Sequence, residues 1–185
     1  MSQIIGRPTE QRVTVPSVHL DDGTRSVENL VVALAPAWET EDTVTLDFHR
    51  CRFISAEGVA LLAALKRHRD AADQVTMLDW ETVVEPISKQ FGRWEFGDLF
   101  GVSTYPWTDN AIPLLCCDGR DKEQQMNWID RRFIGHPEIP DMDLWVQKRT
   151  RRSFYDLIEN VFRHAASQAG CLVIGQVYPR GGRRG

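Results

Sequence analysis

The stretch VTLDFHRCRFISAEGVALLAALKRHRDAA, residues 44–72, constrains the fold most, because its hydrophobic period changes part-way along. Its first five residues, Val44 to Phe48, form an apolar run of β-rich composition, which predicts a strand. From residue 56 the apolar residues recur at helical spacing, which predicts a strong helix of small and long aliphatic residues. A strand, a short loop and a helix in this order form the basic unit of a sheet covered by helices.

The same alternation continues on both sides of this stretch. Strands are predicted at RVTVPSVHL (12–20) and QVTMLDWE (74–81), and a further apolar run at AIPLLCCDG (111–119). Helices are predicted at residues 24–38, disturbed by Pro36, and at residues 82–101, bent near Pro86. The sequence therefore predicts an α/β fold with a small, mostly parallel or mixed sheet covered by helices.

Two proline-containing segments suggest how the chain is divided. The first module is predicted over residues 1–120, and residues 121–140 are read as a helical connector and a proline-containing linker. After this linker a new helix is predicted to start with Asp141 or Asp143 as its cap and to run to about Ala166. CLVIGQVYPR (171–180) then reads as a strand, so residues 141–185 form a separate second segment.

Composition excludes several classes of function. The net charge of -4 disfavours nucleic acid and anionic membrane surfaces as partners, because both are negatively charged. No run approaches the roughly 18 to 20 apolar residues of a membrane span, and the start lacks the apolar stretch of a secretion signal, so we expect a cytoplasmic protein. The four cysteines show no CxxC spacing and are interpreted as reduced core thiols.

The motif VTLDFHRCRFISAEGVALLAALKRH resembles the signature of STAS domains, the fold of anti-anti-sigma factors. In that family a strand leads through a pattern of the type V-x-F-I-D-S-S-G into an aliphatic helix. Aligning Phe53, Ile54 and Gly58 places Ser55 at the family's aspartate and Ala56 at its phosphorylated serine. Because Ala56 has no hydroxyl group, the resemblance implies a binding or scaffolding module in place of a phosphorylation relay.

Glu57 falls at the family's second serine. Its carboxylate gives a permanent negative charge at the start of the helix. A simpler explanation for an acidic residue here is that a negative charge near a helix N-terminus interacts favourably with the helix dipole. The resemblance implies that a partner docks where the loop meets the helix. The residues expected to form this surface are Ser55, Ala56, Glu57, Gly58 and Leu61.

FYDLIENVFRHA, residues 154–165, predicts an amphipathic helix. The residues expected on its apolar side are Phe154, Leu157, Ile158, Val161 and Ala165. The residues expected on its polar side are Asp156, Glu159, Asn160, Arg163 and His164. The structural alternative is an ordinary helix with a solvated outer face.

The same helix resembles the N-box helix of GHKL ATPases, the superfamily of histidine kinases and anti-sigma kinases. The resemblance implies that Asn160 binds the Mg²⁺ that bridges the ATP phosphates. Asp156 matches the acid that orients the attacking group as a general base, and Arg163 and His164 match positions that face phosphate oxygens. The predicted strand that follows also agrees with this superfamily.

The rest of a GHKL domain does not follow in the sequence. No D-x-G-x-G motif, lid or second glycine-rich loop comes after Tyr178. We therefore expect only the front of such a domain, either as a truncated product or as a natural remnant. We expect no cofactor for this chain alone, and Mg-ATP only if the domain were complete. Under truncation, the strand edge at Cys171 to Val177 would be unpaired and would tend to recruit another chain.

Three hypotheses about function remain open at this point. The first is a bacterial cytosolic signalling protein in which a STAS-like module joined to a GHKL-type segment acts by binding a protein partner or by self-association. The second is an active Mg-ATP-dependent ATPase or protein kinase. The third is a single structural α/β domain with no nucleotide function.

Overall fold

The computed structural model describes residues 9–19, 24–102, 110–118, 121–164 and 170–177. The chain divides into two compact units, Met1–Ser88 and Lys89–Gly185. This division lies before the boundary predicted from sequence, which placed the first module over residues 1–120. The pairing of the strands explains the difference, as the second unit shows.

The first unit alternates strands and helices. Its elements are β1 (Glu10–Thr14), α1 (Arg25–Glu39), β2 (Thr43–Asp47), α2 (Ala56–Ala71), β3 (Thr76–Leu78) and a 3₁₀ turn (Trp80–Thr82). The three strands form a parallel sheet in the order β1-β2-β3. The predicted α/β class, with a parallel sheet and covering helices, is confirmed.

One face of this sheet forms the core of the first unit. Val13, Leu46 and Leu78 lie side by side in the strand register, and all three are buried. The helices complete this core with apolar side chains that lie within it, namely Leu30 and Leu34 of α1 and Val59, Leu62 and Leu65 of α2. The opposite face of the sheet is more polar, as expected where side chains alternate along each strand.

Both prolines in predicted helices are accommodated near helix ends. α1 continues through Pro36 to Glu39, one residue beyond the helix predicted over residues 24–38. Pro36 removes one hydrogen bond close to the end of the helix, and its carbonyl accepts the closing bond from Thr40 at 3.2 Å. Pro86 lies in the first turn of α3 (Glu85–Arg93), where a missing N–H costs little, instead of bending the helix.

Arg69, near the end of α2, is completely buried in the first unit. Its guanidinium makes five hydrogen bonds. Four go to backbone carbonyls and one to a hydroxyl, and the acceptors belong to Ala37, Thr40, Asp42, Val75 and Thr76. Arg69 therefore joins the end of α1 to the segments that precede β2 and β3.

The second unit combines a small antiparallel sheet with helices. After a 3₁₀ segment (Phe96–Phe100), its elements are β4 (Ala111–Cys117), α4 (Lys122–Trp128), a π-helical segment (Ile129–Ile134), α5 (Leu144–His164) and β5 (Cys171–Gln176). β4 pairs with β5. Residues 111–117, which the sequence assigned to the first module, thus pair with β5 and lie in the second unit, and β5 has a strand partner along one of its edges.

The core of the second unit lies between this sheet and its helices. Its buried members are Ile112, Leu115, Cys117, Trp128, Ile129, Ile158 and Cys171. Trp128 also donates a hydrogen bond from its indole nitrogen to the carbonyl of Pro113, 3.1 Å away. Within the described residues, no helix has both the length and the apolar character needed to cross a membrane.

Candidate protein-docking site

Ser55 caps the start of α2. Its backbone is extended, and its side-chain oxygen accepts a hydrogen bond from the N–H of Gly58 at 3.4 Å. This is the usual role of serine before a helix, where the first N–H groups have no partner within the helix. Ser55 is only 2% exposed, so its hydroxyl group serves the fold and is withdrawn from the surface.

Gly58 permits a close contact between α2 and the chain beneath it. A Cβ at this position would lie 2.7 Å from Cγ1 of Ile54 and 3.2 Å from Cβ of Val18. Val18 and Ile54 are themselves paired in an isolated parallel bridge and completely buried. The glycine of the predicted motif is therefore required for packing, since a larger residue would collide with this bridge.

The other predicted docking residues differ in exposure. Glu57 is exposed, whereas Ala56 and Leu61 are half-buried and Gly58 is buried. Of the five residues predicted at this surface, Glu57 is thus the most accessible to a partner. The structure brings Ser55 and Glu57 together among the residues that line a groove, and the other three do not line it.

The groove lies between α1 and the start of α2 and has a volume of about 680 Å³. The residues that line it are His19, Thr24, Val27, Glu28, Val31, Val32, Ser55 and Glu57. Val31 is 47% exposed and Val32 is 73% exposed, while the carboxylates of Glu28 and Glu57 are also exposed. The site is an apolar depression with two negative charges among the residues that line it.

Sequence reasoning did not identify the α1 side of this groove. Val27 and Val31 recur at helical spacing with Leu30 and Leu34, but only the two leucines are fully buried. The available signal was the width of the apolar stripe, because Val31 and Val32 extend it beyond what one buried face needs. His19, which lies beyond β1 and stacks on Phe53 with a centroid distance of 5.0 Å, carried no signal.

The polar side of α5 faces solvent. Asp156, Asn160, Arg163 and His164 are all exposed, so the residues matched to the N-box share one open helix face. Asp156 lies 3.8 Å from Arg152. The remaining acid of this face, Glu159, has a network of its own.

Glu159 is surrounded by three hydrogen-bonding or charged groups. Tyr155 donates a hydrogen bond to it at 2.7 Å, Arg163 lies 3.1 Å away and Lys122 3.8 Å away. The hydrogen bond from Tyr155 lowers the pKa of the Glu159 carboxyl, and the two cations add to this effect. Arg163, matched from sequence to a phosphate-facing position, here pairs with an acid on its own helix.

The apolar side of α5 agrees only in part with the prediction. Ile158 is buried in the second core, and Phe154 and Val161 pack against that core. Leu157, expected on the same side, is 62% exposed, which corrects the prediction. The side of α5 that packs against the second core is therefore narrower than the predicted apolar stripe, and Leu157 lies outside it. Ala165, also assigned to this side, lies outside the described residues.

A second polar cluster lies at the carboxyl ends of β2 and β3. The guanidinium of Arg12 contacts Asp47 at 2.8 Å and also pairs with Asp79, while the ring of His49 lies 2.8 Å from Asp47. Burial by itself raises the pKa of the Asp47 carboxyl, but hydrogen bonds from Arg12 and from the His49 backbone and ring outweigh it, so this pKa lies well below its usual range. The cluster is a compensated ion-pair network.

In the part of the chain that the structure describes, no three His, Cys, Asp or Glu side chains come together as a metal site. The chain matches no protein-family model, no curated protein and no solved structure. The assignment of a function therefore rests on the motifs, the order of the elements and the geometry of the groove.

Proposed function

We propose that the chain is a signalling or regulatory protein whose first unit is a STAS-like module that binds a partner protein. The partner docks in the groove between α1 and the start of α2, against Val31, Val32 and Glu57. The observation that supports this function is an apolar groove with acidic neighbours, located where the resemblance to STAS domains implies docking.

The apolar side chains of the groove supply the favourable free energy of docking. Single exposed apolar residues are common on protein surfaces, but adjacent ones within one depression are typical of interaction sites. Val31 and Val32 are both exposed and lie next to each other at the groove. Burying a valine side chain completely contributes about 1.5 kcal/mol or more, so covering this pair favours binding appreciably.

The charges at the groove define the chemistry of the partner. Glu28 and Glu57 are exposed, and none of the described residues that line the groove is a lysine or arginine. Complementary charges increase both specificity and the rate of association. The partner accordingly presents a short apolar segment flanked by lysine or arginine residues, and the net charge of -4 adds a weak attraction for it.

Site-specific photocrosslinking tests this function. A photoreactive amino acid replaces Val32 in the full chain expressed in its native host, and a matched chain carries it at Met77, which is 53% exposed on β3. We expect one protein to be crosslinked from position 32 only, through a peptide with apolar and basic residues, and this crosslink to be lost in Glu57→Lys. Equal products from both positions, no product, or a crosslink that survives Glu57→Lys would overturn the proposal.

A second candidate function is binding of Mg-ATP by a GHKL-type element, with Asn160 as the metal ligand and Asp156 as the base. It is supported by the order of the elements, because α5 is followed by β5 as the resemblance implies. Isothermal titration of the full chain with Mg-ATP tests it. Saturable binding that is lost in Asn160→Ala and retained in the control Ser153→Ala would favour this candidate, whereas no heat of binding would exclude it.

A further inference from the structure

Two cysteines face each other at one end of the small sheet. Cys117 is the last residue of β4, Cys171 is the first residue of β5, and the antiparallel register places them directly opposite one another. Opposed residues of such a ladder have Cα atoms about 4.5 to 5.5 Å apart, which lies within the range that disulfides require, about 4.4 to 6.8 Å. Both residues are buried in the same core, so their side chains lie on the same face of the sheet.

The Cys117 thiol already contacts Cys171 in the reduced form. The sulfur of Cys117 lies 3.8 Å from the carbonyl oxygen of Cys171. A hydrogen bond with the Cys117 side chain lowers the pKa of the Cys171 thiol to about 7, although burial opposes this effect. Cys51, by contrast, is buried with its sulfur 3.5 Å from the carbonyl oxygen of Phe53, and burial raises its pKa to about 11. Because thiolates are the reactive form, Cys171 is the more nucleophilic of these two cysteines at neutral pH.

We propose that Cys117 and Cys171 are a redox modification site, which a hydroperoxide converts into an intrachain disulfide and a dithiol reductant restores. The thiolate of Cys171 attacks one peroxide oxygen, the O–O bond breaks, and the leaving oxygen takes up a proton. The product is a sulfenic acid on Cys171. The Cys117 thiolate then attacks this sulfur and displaces hydroxide, which leaves as water after protonation. Overall, two thiols lose two electrons and two protons to one peroxide.

The position of the pair gives an oxidant access to buried sulfurs. Both residues are strand ends, so only the terminal pair of the ladder has to open, and terminal pairs open at low free-energy cost. Gly170, immediately before Cys171, has a positive φ of 80°, which a glycine adopts easily. Cys116, next to Cys117, points to the opposite face of the strand and is therefore not the partner.

The disulfide would tie the ends of a long segment together. Cys117 and Cys171 are 54 positions apart, and α4 and α5 lie between them. Closing such a loop stabilises the folded state mainly by restricting the unfolded chain. We therefore expect the oxidised second unit to unfold at a higher temperature than the reduced one, by several degrees.

Thiol counting and peptide mapping on the full chain test this inference. After treatment with hydrogen peroxide, we expect the wild type to lose two of its four cysteine thiols and the mass of two hydrogens, and dithiothreitol to restore both. Cys117→Ser and Cys171→Ser should form no intrachain disulfide, whereas Cys51→Ser and Cys116→Ser should form it as the wild type does. Circular dichroism before oxidation checks that each variant is folded.

A measurement on the wild type keeps the test independent of the folding of the variants. Non-reducing digestion and fragmentation of the wild-type chain should yield a peptide pair joined through Cys117 and Cys171. Oxidation of all four thiols to sulfinic acids without a crosslink, a bridge to Cys51 or Cys116, or no loss of thiols would each overturn the assignment.

Discussion

Replacing Arg69 by methionine should destabilise the first unit strongly. Methionine keeps an unbranched apolar stem, so the main change is the loss of a buried guanidinium that makes five hydrogen bonds. Burial lowers the pKa of this guanidinium, yet an arginine stays charged at neutral pH. The substitution therefore removes a charged donor from four backbone carbonyls at once.

Two opposing effects set the magnitude. Hydrogen bonds from a charged donor contribute about 1.5 to 3 kcal/mol each, whereas taking an ionised group out of water costs several kcal/mol. In the Arg69→Met variant, the backbone carbonyls that lose their donor remain buried without that hydrogen bond, which lowers the free energy of unfolding further. We expect a net loss of about 3 to 4 kcal/mol, a large part of the roughly 5 to 15 kcal/mol that stabilises an ordinary domain.

Urea denaturation followed by tryptophan fluorescence measures this loss. Trp38 reports on the right region, because its ring lies 5.1 Å from that of His68, the neighbour of Arg69. Arg25→Met, which removes an exposed arginine from the same unit, is the matched control and should change the free energy of unfolding by less than about 0.5 kcal/mol. If Arg69→Met were as stable as this control, the network around Arg69 would not hold the segments together.

Three further predictions concern other parts of the fold. Gly58→Ala should destabilise the first unit by about 1 to 3 kcal/mol despite the better helix propensity of alanine, because its Cβ has no room; urea denaturation that shows equal or higher stability would contradict this. Asp47 has a lowered pKa when folded, so its contribution is full above about pH 4 and is lost as the pH falls further. Asp47→Asn should therefore show less loss of stability between about pH 7 and about pH 3 than the wild type, as denaturation at both values measures, and an unchanged difference would refute the ion-pair role. Ile158→Ala should destabilise the second unit by about 2 to 5 kcal/mol, whereas Leu157→Ala should change little, and the reverse order in thermal unfolding would mean that α5 is rotated.

The elements of the first unit could be predicted because each carries its own local signal. β2 is an apolar run, and α2 shows a helical repeat of apolar residues. Gly58 belongs to the predicted motif, and the structure explains it by a close contact that leaves no room for a Cβ. The pairing of β4 with β5 had no such signal. It joins segments more than 50 residues apart through a register that depends on the packing of the helices between them, so local sequence patterns do not indicate it.

Arg69 and the groove were missed for a related reason. Arg69 belongs to the run KRHRD, which reads as a solvated helix end, and it is buried only because three backbone segments converge on it. Val31 continues the helical spacing of Leu30 and Leu34, although the neighbouring elements leave both Val31 and Val32 uncovered. Burial is a property of tertiary packing, and one-dimensional periodicity shows only which side of a helix is apolar.

At the start of α2, one residue stabilises the fold and a different residue is proposed to bind the partner. The buried side chain of Ser55 caps the start of α2, whereas the carboxylate of Glu57 lies at the groove. We therefore expect Ser55→Ala to lower the free energy of unfolding by about 0.5 to 1 kcal/mol and to leave crosslinking from position 32 unchanged. Glu57→Lys should have the opposite profile, with near-normal stability and no crosslink. At the start of α2, Ala56 has no hydroxyl group to carry a phosphate, and the hydroxyl group of Ser55 is buried. The negative charge at this position is therefore the permanent charge of Glu57. Phosphatase treatment of the protein should therefore leave the crosslink intact, and a loss of the crosslink after that treatment would show that a phosphate contributes to docking.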